Sequence, residues 1–165
     1  RLPSSEEWEY SARYIGTTAP TQGNLSTEYV ARNVRGGHAT LTAGYYWTPA
    51  DYASGAIRDY TNATENRAVS WYYKDPDMPT SPRDCLMPVK QKIANQLGLY
   101  DMSGNVFEWC FTAGPTASLF GSGFQRVNRG GSWSNGEDIV VVGWWWDEEP
   151  TYYSCNYSFR FARTQ

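Results

Sequence analysis

The chain has one histidine, His38, and three cysteines, Cys85, Cys110 and Cys155, with no CxxC pair and no His–Cys cluster. A structural zinc needs four such ligands at short spacings, so none is expected, and a lone His beside Gly36-Gly37 reads as a loop residue, not a catalyst. An odd set of thiols closes at most one internal disulfide. Cys85 with Cys110 is the candidate pair, and three incidental small thiols are the plainer alternative. Lys/Arg runs are also missing: 14 basic against 17 acidic residues leave a net charge of -3, which gives a phosphate backbone nothing to hold. No nucleic acid is therefore expected as a partner. No apolar stretch approaches the roughly 18 to 20 residues of a membrane span, so any membrane association would run through a lipid anchor upstream of Arg1. Gly130-Gly131-Ser132 lacks the lysine and strand–loop–helix setting of a phosphate loop. Glu6, Glu7, Glu137, Glu148 and Glu149 show no pairing that would push two carboxyl environments apart, and they read as solvated charges.

What the chain does have is rings. Aromatic residues make up 16% of its 165 residues, with 8 Trp and 13 Tyr, and apolar residues 41%. That is enough for one domain over residues 1–165 whose core is filled by large side chains on irregular backbone. Ser4 followed by Glu7 is a capping box, and Trp8, Ala12 and Ile15 recur at helical spacing, so a helix is expected at the start. Residues 16–78 carry Thr, Asn, Gly, Tyr and Pro without a sustained period and predict long loops, with a second short helix over 63–73. Gly36-Gly37 and Pro76-Asp77-Met78-Pro79 mark turns, and residues 118–123 a flexible connection. Residues 99–102 and 106–109 alternate like half-buried strands around a Ser103-Gly104 turn. Asn24, Asn62 and Asn156 begin glycosylation sequons of a kind that a chain rich in Asn, Ser and Thr produces by chance.

Three blocks appear in fixed order: Arg1-Leu-Pro-Ser-Ser-Glu-Glu-Trp-Glu-Tyr10, the run from Asn95 through Gly-Leu-Tyr-Asp-Met-Ser-Gly-Asn-Val-Phe-Glu to Trp109, and Arg129-Gly-Gly-Ser-Trp133 with Ser158-Phe-Arg-Phe-Ala-Arg163. Together they resemble the formylglycine-generating, sulfatase-modifying enzyme family across nearly the whole chain. The resemblance implies an α+β, C-type-lectin-type fold with a small antiparallel sheet, two helices and long ordered loops. It also implies that the N-terminal part of the domain, which precedes the Arg-Leu-Pro motif in the family, is missing here. In the family, two cysteines beyond the Gly-Gly-Ser motif bind copper and carry the oxidation, and those positions fall on Asn135 and Val140. Cu(I) selects sulfur, which neither residue supplies, so formylglycine generation is not expected. The family's turn over Gly104, Asn105, Val106 and Glu108 holds calcium through carbonyls and the Glu carboxylate. A structural calcium is thus implied, although Glu108 hydrogen-bonding the nearby backbone is an equal alternative. No other cofactor is required.

Residues 134–158 hold the functional expectation. In extended backbone successive side chains point to opposite faces, so Trp145 cannot share a core with both Trp144 and Trp146. Part of that indole surface must face outward, and with Tyr152, Tyr153 and Tyr157 nearby it would form a patch of a few hundred Å². Tyr and Trp with Ser, Asn and Asp is a paratope-like composition. The alternative is that the rings only complete an aromatic core. The arrangement also resembles the variable proteins of diversity-generating retroelements, treponemal ones in particular, in which randomised template adenines turn AAY codons into any codon ending in a pyrimidine. Tyr152, Tyr153, Ser154, Cys155, Asn156, Tyr157 and Ser158 are reachable that way, whereas Trp144, Trp145, Trp146 and Glu148 need other codons or are fixed.

The sequence therefore predicts a non-enzymatic binding protein of the bacterial cell surface or exterior, with or without a lipid anchor, for an unknown protein or other surface ligand. Its expected ligand-binding residues are Asn135, Asp138, Val140, Trp144, Trp145, Trp146, Asp147, Glu148, Tyr152, Tyr153, Ser154, Cys155, Asn156 and Tyr157. Trp145 and Tyr153 are expected to be dispensable for folding. The alternative is a divergent oxidase or hydrolase of the same family that acts on a peptide or small thiol.

Overall fold

The computed structural model of the chain describes residues 1–16, 46–73, 75–78, 86–114 and 125–163. His38, Cys85, Pro79, the Gly36-Gly37 turn, the Asn24 sequon and the connection over 118–123 lie outside them. Helix α1 (Ser5–Arg13) starts where the capping box predicts: the Ser4 side chain accepts from the Glu7 N–H while the Glu7 side chain accepts from the Ser4 N–H. Arg1 and the Ser4 N–H hold the Glu7 carboxyl down at about 2. The helix stops two residues short of Ile15, because Tyr14 is already extended and opens β1 (Tyr14–Gly16), which pairs antiparallel with β2 (Tyr46–Trp47). Helix α2 (Ala63–Val69), capped by the Asn62 side chain, is shorter than the expected 63–73, since Ser70 leaves helical geometry.

The central sheet has the order β5-β4-β3-β6, built from β3 (Phe107–Ala113), β4 (Arg126–Arg129), β5 (Trp145–Glu148) and β6 (Tyr157–Ser158). It is antiparallel except at β6, which joins β3 in parallel. Two helices with this small sheet make an α+β, C-type-lectin-type fold. The expected strand over 99–102 is instead a looped approach to β3. Asn95 Oδ1 accepts from the Leu97 and Leu99 N–H groups, and Asp101 and Asn105 take left-handed backbone at φ 56 and 60. Gly104 cannot be otherwise, because an added Cβ would stand 2.0 Å from the Trp71 carbonyl oxygen. The 76–79 turn is present as far as it is described, with the Met78 N–H donating to the Asp75 carbonyl.

Beneath the sheet, Trp8, Ala12, Met102, Cys110, Val127, Val142 and Trp145 pack together. A charged layer is buried beside them. Glu9 accepts from Arg13 and from Arg129 at 2.8 Å each, and all three side chains are sealed from solvent. The Arg129 guanidinium also donates to the carbonyls of Val142, Gly143 and Trp144 at 3.3–3.4 Å. One cation thereby fixes the backbone leading into β5 to helix α1.

Candidate functional site

Register and the two-residue period of a strand decide which side chains reach the surface. In β4–β5, Val127 opposes Asp147 and Arg129 opposes Trp145, whereas Asn128 opposes Trp146. The first set points into the core and the second outward. Trp145 is accordingly only 6% exposed and Asp147 5%. The expectation that Trp145 anchors a ligand and is dispensable for folding is corrected: its indole is part of the core. Asp147 is corrected for the same parity reason, its carboxylate lying where a Cβ on Gly114 would have to go. Val140 is corrected too. The stretch from Val140 to Val142 is fully buried, pinned by the Val142 N–H to Tyr52 O and the Gly143 N–H to Ala50 O.

On the outer face the rings form a continuous row. Trp144 and Trp146 stack at 5.9 Å with planes 6° apart. Phe107 lies 6.0 Å from Trp144 and 5.0 Å from Tyr157, and Tyr157 in turn meets Trp109 at 5.5 Å and Tyr152 edge-on at 5.1 Å. The separation of Trp145 from its two neighbours holds as expected. Trp146 is 38% exposed, Tyr152 is exposed, and Tyr153 is 92% exposed. Trp144 and Tyr157 are half-buried within the row. Burial first, then the Glu148 carboxylate and Tyr152, push the Tyr157 phenol well above its ordinary range. Trp146 Nε1 donates to Glu148 Oε1 at 2.9 Å, which places that carboxylate among the rings.

The remaining expected contacts divide. Asp138 and Cys155 are exposed, and Ser154 is half-buried. Asn135 is occupied in a turn, its Oδ1 accepting from the Ser132 N–H and hydroxyl. Asn156 donates to the Ser132 and Ser134 hydroxyls at 3.3 and 3.4 Å, and its carbonyl accepts the Phe107 N–H. These amides hold the loops under the ring row. Tyr73, exposed and bonded through its N–H to Asn135 O, extends the surface and was not foreseen.

Asn128 was also missed. Although fully buried, neither its amide nitrogen nor its oxygen has a hydrogen-bond partner among the described residues. Nothing local in the sequence reveals that Trp109 and Trp146 flank it in register. An orphaned buried amide costs about 1–3 kcal/mol. Asn128→Val is therefore expected to stabilise the fold by about 1–2 kcal/mol, read as a higher denaturant midpoint at unchanged slope.

The implied calcium turn does not fit the ion. Both Glu108 oxygens are held by Arg160 at 2.5 Å, and Oε2 also accepts Trp8 Nε1 at 2.6 Å. The Gly104 and Asn105 carbonyls accept the Val106 and Trp133 N–H groups, and the Asn105 side chain binds both backbone groups of Met87. A divalent cation at Glu108 would meet a guanidinium, and the backbone alternative is corrected as well: the carboxylate is bonded to two distant side chains, Trp8 and Arg160. Among the described residues no group of three or more His, Cys, Asp or Glu could hold a metal. Burial pushes the Cys110 thiol up to about 12, so it offers no thiolate at neutral pH. Its candidate partner Cys85 is outside the described residues.

Comparison with known proteins gives a consistent picture. The profile of the sulfatase-modifying factor enzyme 1-like domain matches residues 1–165. The chaperone protein LppX of Paenibacillus barcinonensis is 29% identical over 155 residues, covering 87% of this chain and 42% of its own length. The formylglycine-generating enzyme of Streptomyces coelicolor is 30% identical over 145 residues, covering 81% of this chain and 36% of its own. Among solved structures, Treponema denticola variable protein 1 superposes with a TM-score of 0.60 at 25% identity, over 96% of this chain and 45% of that one. The chain thus spans less than half the length of each of these relatives.

Proposed function

The chain belongs to the sulfatase-modifying factor enzyme 1-like family, and on that premise we propose that it is a non-enzymatic ligand-binding protein displayed at the bacterial surface or outside the cell. The observation that carries this reading is the outward ring row of Trp144, Trp146, Tyr152 and Tyr157, with Tyr153 beside it, on a strand whose alternate residues are locked in the core. Exposed aromatic surface on a folded domain marks a contact site, and rings of this kind give contact area at low entropic cost. The similarity to a treponemal variable protein supports it. Among the described residues no helix is long and apolar enough to cross a membrane.

Diversification by a retroelement fits the same geometry. Substitutions in sibling copies would concentrate at Tyr152, Tyr153, Ser154, Cys155 and Asn156 and spare Val140, Trp145 and Asp147, whose side chains are buried. Sequencing this coding segment across a population of the source cells tests that, and a uniform segment would refute it. The oxidase alternative needs a soft donor pair where Val140 is sealed and Asn135 is engaged by Ser132. Copper titration with an oxygen electrode is expected to give neither stoichiometric uptake nor turnover.

Trp146→Ala and Tyr153→Ala are expected to abolish capture of the ligand at nearly unchanged stability. The loss is under about 1.5 kcal/mol for Trp146, whose stacking on Trp144 and hydrogen bond to Glu148 are both at the surface, and within about 0.5 kcal/mol for the solvated Tyr153. Thermal unfolding beside a pull-down from whole cells separates the two effects. Retained capture by both variants would contradict the proposed site.

A further inference from the structure

The charge of the site is one-sided. Residues 130–159 contain Glu137, Asp138, Glu148 and Glu149, besides the inward-facing Asp147, and no Lys, Arg or His. The flanking bases are spoken for: Arg129 by Glu9 and Arg160 by Glu108. Arg126, the register partner of Glu148, lays its guanidinium over the Phe111 ring and donates to the Phe111 carbonyl. Glu148, for its part, forms no ion pair among the described residues and is held among the rings by Trp146 Nε1. A carboxylate framed by indole and phenol rings is the combination that attracts an organic cation. The ring faces carry negative potential, and the carboxylate supplies the countercharge.

A second feature points the same way. Asn128 shares the outward face with Trp146 and Trp109 and presents a fully buried carboxamide with no hydrogen-bond partner among the described residues on either atom. A native fold keeps few such groups, and a bound group that completes the bonding is one physical reason to keep one. Its oxygen is an acceptor without a donor, on the floor of a face that already favours positive charge.

We propose that the face formed by Trp144, Trp146, Tyr152 and Tyr157 around Glu148, with Asn128 beneath, takes the side-chain cation of a Lys or Arg presented by a protein partner. This rests on the ligand-binding reading and specifies its chemistry. The neutral polar residues and rings set the outline, while Glu148 and Asn128 select for charge.

The test uses the intact chain and its tryptophan fluorescence. The probes are the capped peptide acetyl-Gly-Lys-Gly-amide, the same peptide with its lysine Nε-acetylated, and choline, all at matched ionic strength. The lysine peptide is expected to bind with a Kd on the order of a millimolar, about tenfold tighter than the acetylated form, whose charge is gone. Glu148→Gln and Asn128→Val should each weaken it by about tenfold, the latter while raising the unfolding midpoint, an opposition that a merely structural role would not produce. Equal binding of the neutral peptide, or no binding of either, overturns the cation and leaves the ligand-binding reading to its own pull-down test. Choline binding more tightly than the peptide overturns the protein side chain as the source. Loss of binding only when Trp146 is replaced, with Glu148→Gln unchanged, also overturns it.

Discussion

Trp145→Ala is expected to cost about 3–5 kcal/mol, the range for truncating a buried Trp, and so to remove a large share of the roughly 5–15 kcal/mol that holds a domain of this kind together. The indole packs with Trp8, Met102, Cys110, Val127 and Val142, and no neighbouring backbone can collapse into its space without breaking the β4–β5 ladder. Denaturant titration of Trp145→Ala beside Trp146→Ala measures the contrast. Two adjacent indoles of identical chemistry should differ severalfold in their effect on stability and differ in the opposite sense in their effect on binding. Equal losses would mean that the strand parity assigned here is wrong.

The second large effect is expected at Glu9. Its carboxylate stands between two guanidinium groups with no solvent to replace it, and Glu9→Ala leaves buried positive charge uncompensated, at a cost of about 3–5 kcal/mol. Glu9→Gln keeps the shape and loses the charge, so it should recover only a minor part of that loss. Circular dichroism melts of both variants check the order. If Glu9→Gln matched the parent, the layer would be held by shape and hydrogen bonding and not by charge. Because Arg129 also holds the carbonyls of Val142, Gly143 and Trp144, the Glu9 variants should loosen the ring row as well, seen as faster amide exchange at residues 142–146.

The parts of the fold that were legible in the sequence are those set by short-range rules. The capping box of Ser4 and Glu7 places the first helix to the residue, and three consecutive Trp residues require that the middle one face away from the others. Parity could be stated, but not which parity faces the core, since that is fixed by pairing with Val127 and Arg129, distant in sequence. This is why Trp145 and Asp147 read as contacts and are core. Val140 was misplaced for a different reason: its burial follows from the Ala50–Tyr52 backbone, which receives the 142–143 amides across the molecule. The surroundings of the implied calcium turn were not legible either, because the partner of Glu108, Arg160, is brought to it only by the parallel seating of β6. Asn128 left no trace in the sequence because being orphaned is a property of surroundings and not of residue type.

The Arg129 clamp has a consequence for tolerance to change. It grips residues 142–144 by their carbonyl oxygens, groups that every amino acid carries, and it is itself anchored through Glu9 to helix α1. The path of the chain into the ring row is thereby indifferent to which side chain sits at position 144. Swapping that residue alters what is touched without altering where the touching happens, and a protein so arranged can explore new recognition chemistry one codon at a time while its architecture stands still.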